Sequence, residues 1–389
     1  MTIVLFDDLA SESLLPFTFT RPVAEIRTGI LTIAEKWKKH LKDNVSYQTK
    51  DYLQEKFPLV LSNQNLFING SICPDNDLLE SIDKLADGEA LVQNEILIAF
   101  RSSEPLSFDT ESYRKTEYSN KFTRIVFPED IFKFNDAELR KDFDLLTRGR
   151  SSASLSSTNI ILGDNIFVEE GAEAECSTFN THQGPVYLGK NSQVWEGCHI
   201  RGSFALCNNA QVKMAAKIYG MTTIGPNSRV GGEINNAVIF GNSSKGHDGF
   251  LGNSVLGEWC NIGADSNNSN LKNNYDEVRL WDYNKESFRK TGLQFCGLIM
   301  ADHAKCAINT MFNTGTVVGV GVNLFGAGFP RNFVSDFSWG GAAGFEVYSL
   351  DKMFKTAEKV FERRNRSFDD IEKKILTNVF ELTHKYRRF

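Results

Sequence analysis

The chain has 389 residues, with 43 Lys or Arg against 49 Asp or Glu, a formal charge of −6. At 41% apolar and 24% charged residues it has the make-up of a globular protein with room for two or three domains. The acid surplus speaks against nucleic-acid binding, and the uncharged run 307–330 is too rich in Asn, Thr and Gly for a membrane helix. Met1–Asp8 has no basic region and meets two acids at once, so no secretory signal is expected. Seven cysteines, odd in number and without CxxC spacing, read as reduced thiols of a cytoplasmic protein.

Residues 1–150 alternate strand-like runs (3–6, 59–61, 66–68, 90–92, 96–100, 124–127) with helix-like ones (30–41, 78–85, 136–146). The alternation predicts an α/β domain with a largely parallel sheet. Just after the first run, Leu14-Leu15-Pro16-Phe17-Thr18-Phe19-Thr20-Arg21-Pro22 and Arg27-Thr28-Gly29 supply two cations and several hydroxyls. Ligands of open α/β sheets sit outside the carboxyl ends of strands, so Thr18, Arg21 and Arg27 are candidate phosphate ligands.

Only four of the 30 glycines lie in the first 150 residues; the other 26 fall between Gly163 and Gly344. The Ser-rich stretch 151–157 marks a linker. From Leu188 every sixth residue is aliphatic: Leu188, Val194, Ile200, Leu206, Val212, Ile218, Ile224 and Val230. Four residues after each comes a mostly small one, and Gly or Asn recurs between. Neither the helical nor the strand period produces this spacing, whereas three hexads close one triangular coil. Residues 158–347 are therefore predicted to form a left-handed parallel β-helix of the hexapeptide type. The phase breaks at 235–249 and 267–295 and resumes at Phe250, Leu256 and Ile262, then at Met300. Such breaks are expected to be loops on the face of the solenoid, where binding residues collect. The segment 348–389 carries 11 Lys or Arg against 7 Asp or Glu from residue 351 on. It is predicted to form two helices, with Ser349 and Ser367 placed to cap them. Flat apolar faces on a triangular prism point to a homotrimer.

Of six histidines, His247 stands out, flanked by glycines in Lys245-Gly246-His247-Asp248-Gly249-Phe250-Leu251-Gly252 at the first break. A neutral imidazole suits removal of a proton from an attacking amine or hydroxyl.

The opening of the chain resembles sugar-nucleotide pyrophosphorylases, with Arg21 where that family keeps a lysine. Leu66-Phe67-Ile68-Asn69-Gly70 echoes its strand ending in Gly-Asp, which makes Asn69 a further nucleotide-site candidate. Phe134-Asn135-Asp136 is similar to its late asparagine, which implies Asn135 as a ligand of Mg²⁺. The family's glycine-rich loop falls at Leu9-Ala10-Ser11-Glu12-Ser13, which has no glycine, and its metal aspartate is Ser71 here.

Further on, Lys245-Gly246-His247-x-x-Phe250-Leu251-Gly252, Leu256-Gly257-x-x-x-Asn261-Ile262-Gly263-Ala264 and Asn274-Tyr275 are similar in order and spacing to the acetyltransferase half of the bifunctional UDP-N-acetylglucosamine pyrophosphorylase/glucosamine-1-phosphate N-acetyltransferase family. The domain order is the same. The resemblance implies acyl transfer from acetyl-CoA or another acyl-CoA to a sugar phosphate or nucleotide sugar, with His247 as general base. It assigns Asn261, Asn274, Tyr275 and Lys245 to the sugar, and Ala264 and Gly319 to the cofactor. The family's tyrosine three after the histidine is Phe250, and its paired lysines are Asn235-Asn236, with Lys217 and Arg229 as candidate replacements. Two alternatives stand beside this reading: a nucleotidyltransferase, using a nucleoside triphosphate and Mg²⁺, whose β-helix only trimerises it, and a non-catalytic sugar-nucleotide-binding protein.

Overall fold

The computed structural model describes residues 2–102 and 113–389. Two compact units emerge, one of 1–26 with 31–127 and one of 27–30 with 128–389.

The first unit is an α/β domain around a six-stranded sheet in the order Val45–Gln48, Thr2–Phe6, Asn65–Asn69, Ile96–Ser102, Glu89–Gln93, Arg114–Glu117. Thr2–Phe6 is parallel to both neighbours, but Ile96–Ser102 runs antiparallel to both of its own. Glu89–Gln93 and Arg114–Glu117 pair in parallel, so five of the six strands share one direction and the sheet is largely parallel, as the alternation predicts, with Ile96–Ser102 its one reversed strand. The turn at Asn94 and Glu95, both at positive φ, joins Glu89–Gln93 directly to Ile96–Ser102 as a hairpin, leaving no crossover helix between them. Of the expected strands, 59–61 is irregular and 124–127 contributes a single bridge from Arg124 to Ile72. Helix Ile33–Leu41 starts at a capping box between Thr32 and Glu35, and Asn76–Asp83 starts under the Asp75 carboxylate.

The second unit contains the β-helix. Registers such as Val186↔Phe204↔Thr222 and Gln193↔Gln211↔Arg229 set successive coils 18 residues apart, three hexads per turn. All eight predicted aliphatics are buried, at most 3% exposed, and the small residues four later are buried beside them. Asn191, Asn209 and Asn227, again 18 apart, take the same corner at φ between +53° and +59°, a conformation asparagine tolerates better than most residues.

The first break in phase is a shortening. Ile239 pairs with Ile224 and Lys245 with Val230, 15 residues on, while Leu251 and Leu256 follow Ile234 and Ile239 after 17. The two nine-residue strands Glu233–Gly241 and Phe250–Glu258 run straight through a corner. Leu251, not Phe250, fills the interior, because the lost residues move the inward position by one. The second break is a true excursion, bearing the hairpin Arg279–Asp282 with Ser287–Lys290. Arg289 anchors it through a bidentate pair with Glu129, at 2.5 and 2.6 Å.

Helices Leu350–Glu362 and Asp370–Leu382 close the chain. Asp369, rather than Ser367, caps the second, and the Ser349 side chain makes no capping bond. Phe361 stacks on Trp259 at 3.8 Å between ring centres, fastening the first helix to the solenoid. All seven cysteines are free thiols, and all but Cys176 are buried.

Candidate functional site

In the first unit, the carboxyl ends of Thr2–Phe6 and its neighbours gather Asp7, Asp8, Thr49, Lys50 and Asn69. Asp7 accepts from Thr49 Oγ1 at 2.6 Å and from the Val23 N–H at 2.8 Å, and burial pushes its carboxyl up to about 6. Asp8 pairs with Arg124 at 2.5 Å and accepts from Asn69 Nδ2 at 2.8 Å. Residues 9–13 do not form an open phosphate cradle. They coil into the short helix Ala10–Ser13, where the N–H groups of Ala10 and Ser11 bond to the Asp8 side chain and carbonyl. The Thr18 hydroxyl, buried, donates to the Ser11 carbonyl at 2.6 Å. Arg21 is 7% exposed.

Arg27 belongs to the second unit, where its guanidinium donates to the carbonyls of Phe240 and Ile30. Asn135, fully buried, sits there too. Its Oδ1 accepts from the Gly29 N–H at 2.7 Å and its Nδ2 donates to the Met221 carbonyl at 2.9 Å, tying helix Asn135–Thr147 to the coils. Among the described residues no group of three or more His, Cys, Asp or Glu is arranged to hold a metal ion.

His247 occupies the corner after strand Ser244–Lys245, with its side chain exposed. The corner is held from inside. Lys245 takes an interior position opposite Val230, is 2% exposed, and donates from Nζ to the carbonyls of Gly231, His247 and Asp248 at 2.9, 2.6 and 3.2 Å. Burial pulls its ammonium down to about 8. The chain thus fixes the backbone beneath His247 with a buried cation and leaves the imidazole facing outward. Lys245 therefore acts on the corner, and the sequence offered one signal for it: a lysine where the coil interior expects an aliphatic residue.

The other candidates divide between two faces. Arg229, Ser244, Asn261 and Lys305 stack outward on successive strands of the ten-stranded sheet. Lys217 lies on the thirteen-stranded sheet, in an ion pair with Glu233 at 3.2 Å. Asn274 and Tyr275 belong to the excursion. The Asn274 carboxamide bonds to Asp276, and Tyr275 is 64% exposed. Ala264 follows the next corner, its carbonyl accepting from Asn309. Gly319 is buried, and a Cβ there would fall 2.6–2.7 Å from atoms of Asp336 on the following coil.

A cavity of about 410 Å³ opens over the Arg229–Ser244–Asn261–Lys305 row and is closed by Val360, Arg363 and Arg364 of the tail. Its wall carries no carboxylate. Sequence reading missed the two tail arginines; the Arg363-Arg364-Asn365-Arg366 run was their only trace.

Residues 3–151 match the sugar nucleotidyl transferase family. The resemblance drawn from the opening of the chain is thereby borne out, and the chain joins a sugar-nucleotidyltransferase-like segment to a hexapeptide-type β-helix. The bifunctional protein GlmU of Methanocaldococcus jannaschii is 31% identical over 106 residues, 27% of this chain and 25% of that protein. The match thus spans about a quarter of the relative's length. Among solved structures, a hexapeptide transferase family protein from Anaplasma phagocytophilum is 16% identical, covering 58% of this chain and 90% of its own, with a TM-score of 0.17. The UDP-N-acetylglucosamine acyltransferase of Campylobacter jejuni is 13% identical, covering 59% and 96%, also at 0.17. At such scores the β-helix rests on its own coil register. No helix among the described residues is long and apolar enough to cross a membrane.

Proposed function

We propose that the chain is a cytoplasmic sugar-metabolising transferase, with acyl-CoA-dependent transfer to a sugar on the β-helix and a diverged nucleotidyltransferase domain before it. The observation that carries this reading is the His247 corner: an exposed imidazole on a backbone pinned by the buried Lys245 ammonium. His247 accepts a proton on a ring nitrogen from the sugar amine or hydroxyl as that group attacks. Asn261, on the adjoining coil, offers a carboxamide to sugar hydroxyls. Backbone N–H groups of the neighbouring corners are the candidates for holding the developing oxyanion. When bound, acyl-CoA would supply the activated thioester carbonyl: its C–S bond breaks as the amide or ester forms, and CoA leaves as the thiol, taking up the proton that His247 holds. The cation-lined, carboxylate-free cavity beside the corner suits a cofactor rich in phosphate. No step is routed through a metal ion.

The second reading, a nucleotidyltransferase whose β-helix only assembles it, is favoured by the family match over residues 3–151. The self-bonded turn at residues 9–13 weighs against it, because its leading N–H groups already have partners. A thermal-shift screen separates the two. Stabilisation by acetyl-CoA supports acyl transfer, and stabilisation by a nucleoside triphosphate alone supports the second reading. A homotrimer is part of the proposal, and sedimentation showing a monomer at micromolar concentration contradicts it.

A further inference from the structure

The hairpin of the second excursion has two unlike faces. Strand alternation and the Arg279↔Lys290 and Trp281↔Phe288 pairings put those four side chains on one face, and Leu280 and Arg289 on the other. The second face is used within the unit: Leu280 is buried and Arg289 pairs with Glu129. The first face is not. Trp281 stacks on Phe333 at 4.3 Å between ring centres, 9° from parallel, and Phe288 stands edge-on to the indole at 5.4 Å. These three rings line an open groove of about 670 Å³, together with Lys272, Arg279 and Arg331. The cations come from three separate segments, and the groove wall carries no carboxylate. Among the described residues none of the three makes an ion pair; Lys272 has only the Glu277 carbonyl, at 2.7 Å. Phe288, 41% exposed, presents an apolar ring to solvent beside them.

We propose that this groove docks an acidic segment of a partner protein, with an aromatic side chain of the segment against the rings and its flanking carboxylates on the cations. Charge decides the partner. The chain as a whole carries −6, so an acidic ligand gains attraction only where cations gather without acids, as they do here. A small free anion would be served by one guanidinium and leave the rings unused. Arg and Trp beside an exposed Phe are the residue types that anchor protein interfaces. Guanidinium forks take carboxylate oxygens in pairs, and the rings add stacking with an aromatic residue held between the acids. The coils pair across the excursion, Val255 with Ile299, so the hairpin is not required to close the solenoid. Docking here needs neither the His247 imidazole nor a nucleotide.

The test is fluorescence anisotropy of the full chain with a labelled pentapeptide, Glu-Asp-Phe-Asp-Glu. Saturable binding that weakens with added salt is expected. Replacing the central Phe of the peptide by Ala should weaken binding by about tenfold, and Lys-Lys-Phe-Lys-Lys should not bind. The Arg279→Glu/Arg331→Glu pair should weaken binding of the acidic peptide by about tenfold or more, while Lys190→Glu, at an exposed cation elsewhere on the solenoid, leaves it unchanged. Both arginines are exposed and without side-chain partners among the described residues, so the double variant should melt with wild type and report on docking alone. No binding of the acidic peptide at millimolar concentration, or equal affinity in the double variant, overturns the proposal. Equal affinity for the Ala peptide also overturns it, since the groove is then a patch of charge. Equal affinity for a thymidine pentanucleotide does the same, since the rings and cations then serve nucleic acid. Turnover is not measured, so failure here leaves the His247 reading to its own test.

Discussion

Lys245→Met isolates the buried ammonium that holds the His247 corner. In the folded chain Lys245 loses its proton at about 8, against 10.5 for the free side chain, with burial the leading cause and Asp248 and Asp265 opposing it. That gap corresponds to about 3 kcal/mol against the charged form. The sign follows from proton counts: above about pH 8 the unfolded chain keeps the proton that the folded chain releases, so stability rises with pH. Integrated from pH 8 to 9, Lys245 contributes about 1 kcal/mol, and Lys305, pulled down to about 8 by burial, a similar amount. Over the same window burial pushes the Cys198, Cys260, Cys296 and Cys306 thiols up, so the unfolded chain sheds those protons first and the thiols offset the lysine contribution. Met keeps the length of the side chain but strands the Gly231 and His247 carbonyls, while the Asp248 carbonyl keeps the Asp265 N–H. Three charged hydrogen bonds at about 1.5–3 kcal/mol each, less the recovered burial cost of about 3 kcal/mol, give a net loss of about 1.5–6 kcal/mol at neutral pH. Urea unfolding at pH 8 and 9, followed by tryptophan fluorescence, reads both effects, because four of the five tryptophans (195, 259, 281, 339) lie in the β-helix unit. The variant should be less stable at both pH values, and its change from pH 8 to 9 should fall about 1 kcal/mol short of the wild type's. An equal change from pH 8 to 9 in the two proteins, or a variant as stable as the wild type, refutes the reasoning.

Arg21→Ala should weaken nucleotide or phosphate binding by the first unit by about 1.5–3 kcal/mol, the usual worth of a charged hydrogen bond, as read by titration calorimetry. Unchanged binding removes Arg21 from the candidate ligands. Gly319→Ala places a methyl against Asp336 on the next coil and should cost about 1–3 kcal/mol in urea unfolding, independent of any cofactor. A loss of acyl-CoA affinity at unchanged stability would instead mark Gly319 as a cofactor contact.

The solenoid was legible because one aliphatic per hexad is a demand of the coil itself: Leu188 through Val230 all point inward as spaced. The period could not tell a missing residue from an added one. The break at 235–249 therefore read as a loop, although it removes a corner, and Phe250 was assigned the inward place that Leu251 holds. Lys245 had no periodic signature, since its role depends on carbonyls from two coils. The same holds for residues 27–30 and helix Asn135–Thr147, whose place with the second unit rests on bonds between residues about a hundred positions apart. The cationic cavity needed the tail folded back onto the sheet, an approach made through the Trp259–Phe361 stack and the Arg364–Asn227 bond, between residues about a hundred or more positions apart.

The central claim, that His247 is the base of an acyl transfer, is tested most directly by the acyl-transfer rate of His247→Ala. The acceptor panel is amino-sugars, their 1-phosphates and their nucleotide-linked forms, with acetyl-CoA as donor. The exposed imidazole makes no side-chain hydrogen bond among the described residues, so the variant should keep its fold, its oligomeric state and its acetyl-CoA affinity. Its rate should fall by about 10²–10⁴, the range for a positioned general base. Wild-type turnover by the variant on any accepted sugar contradicts the account.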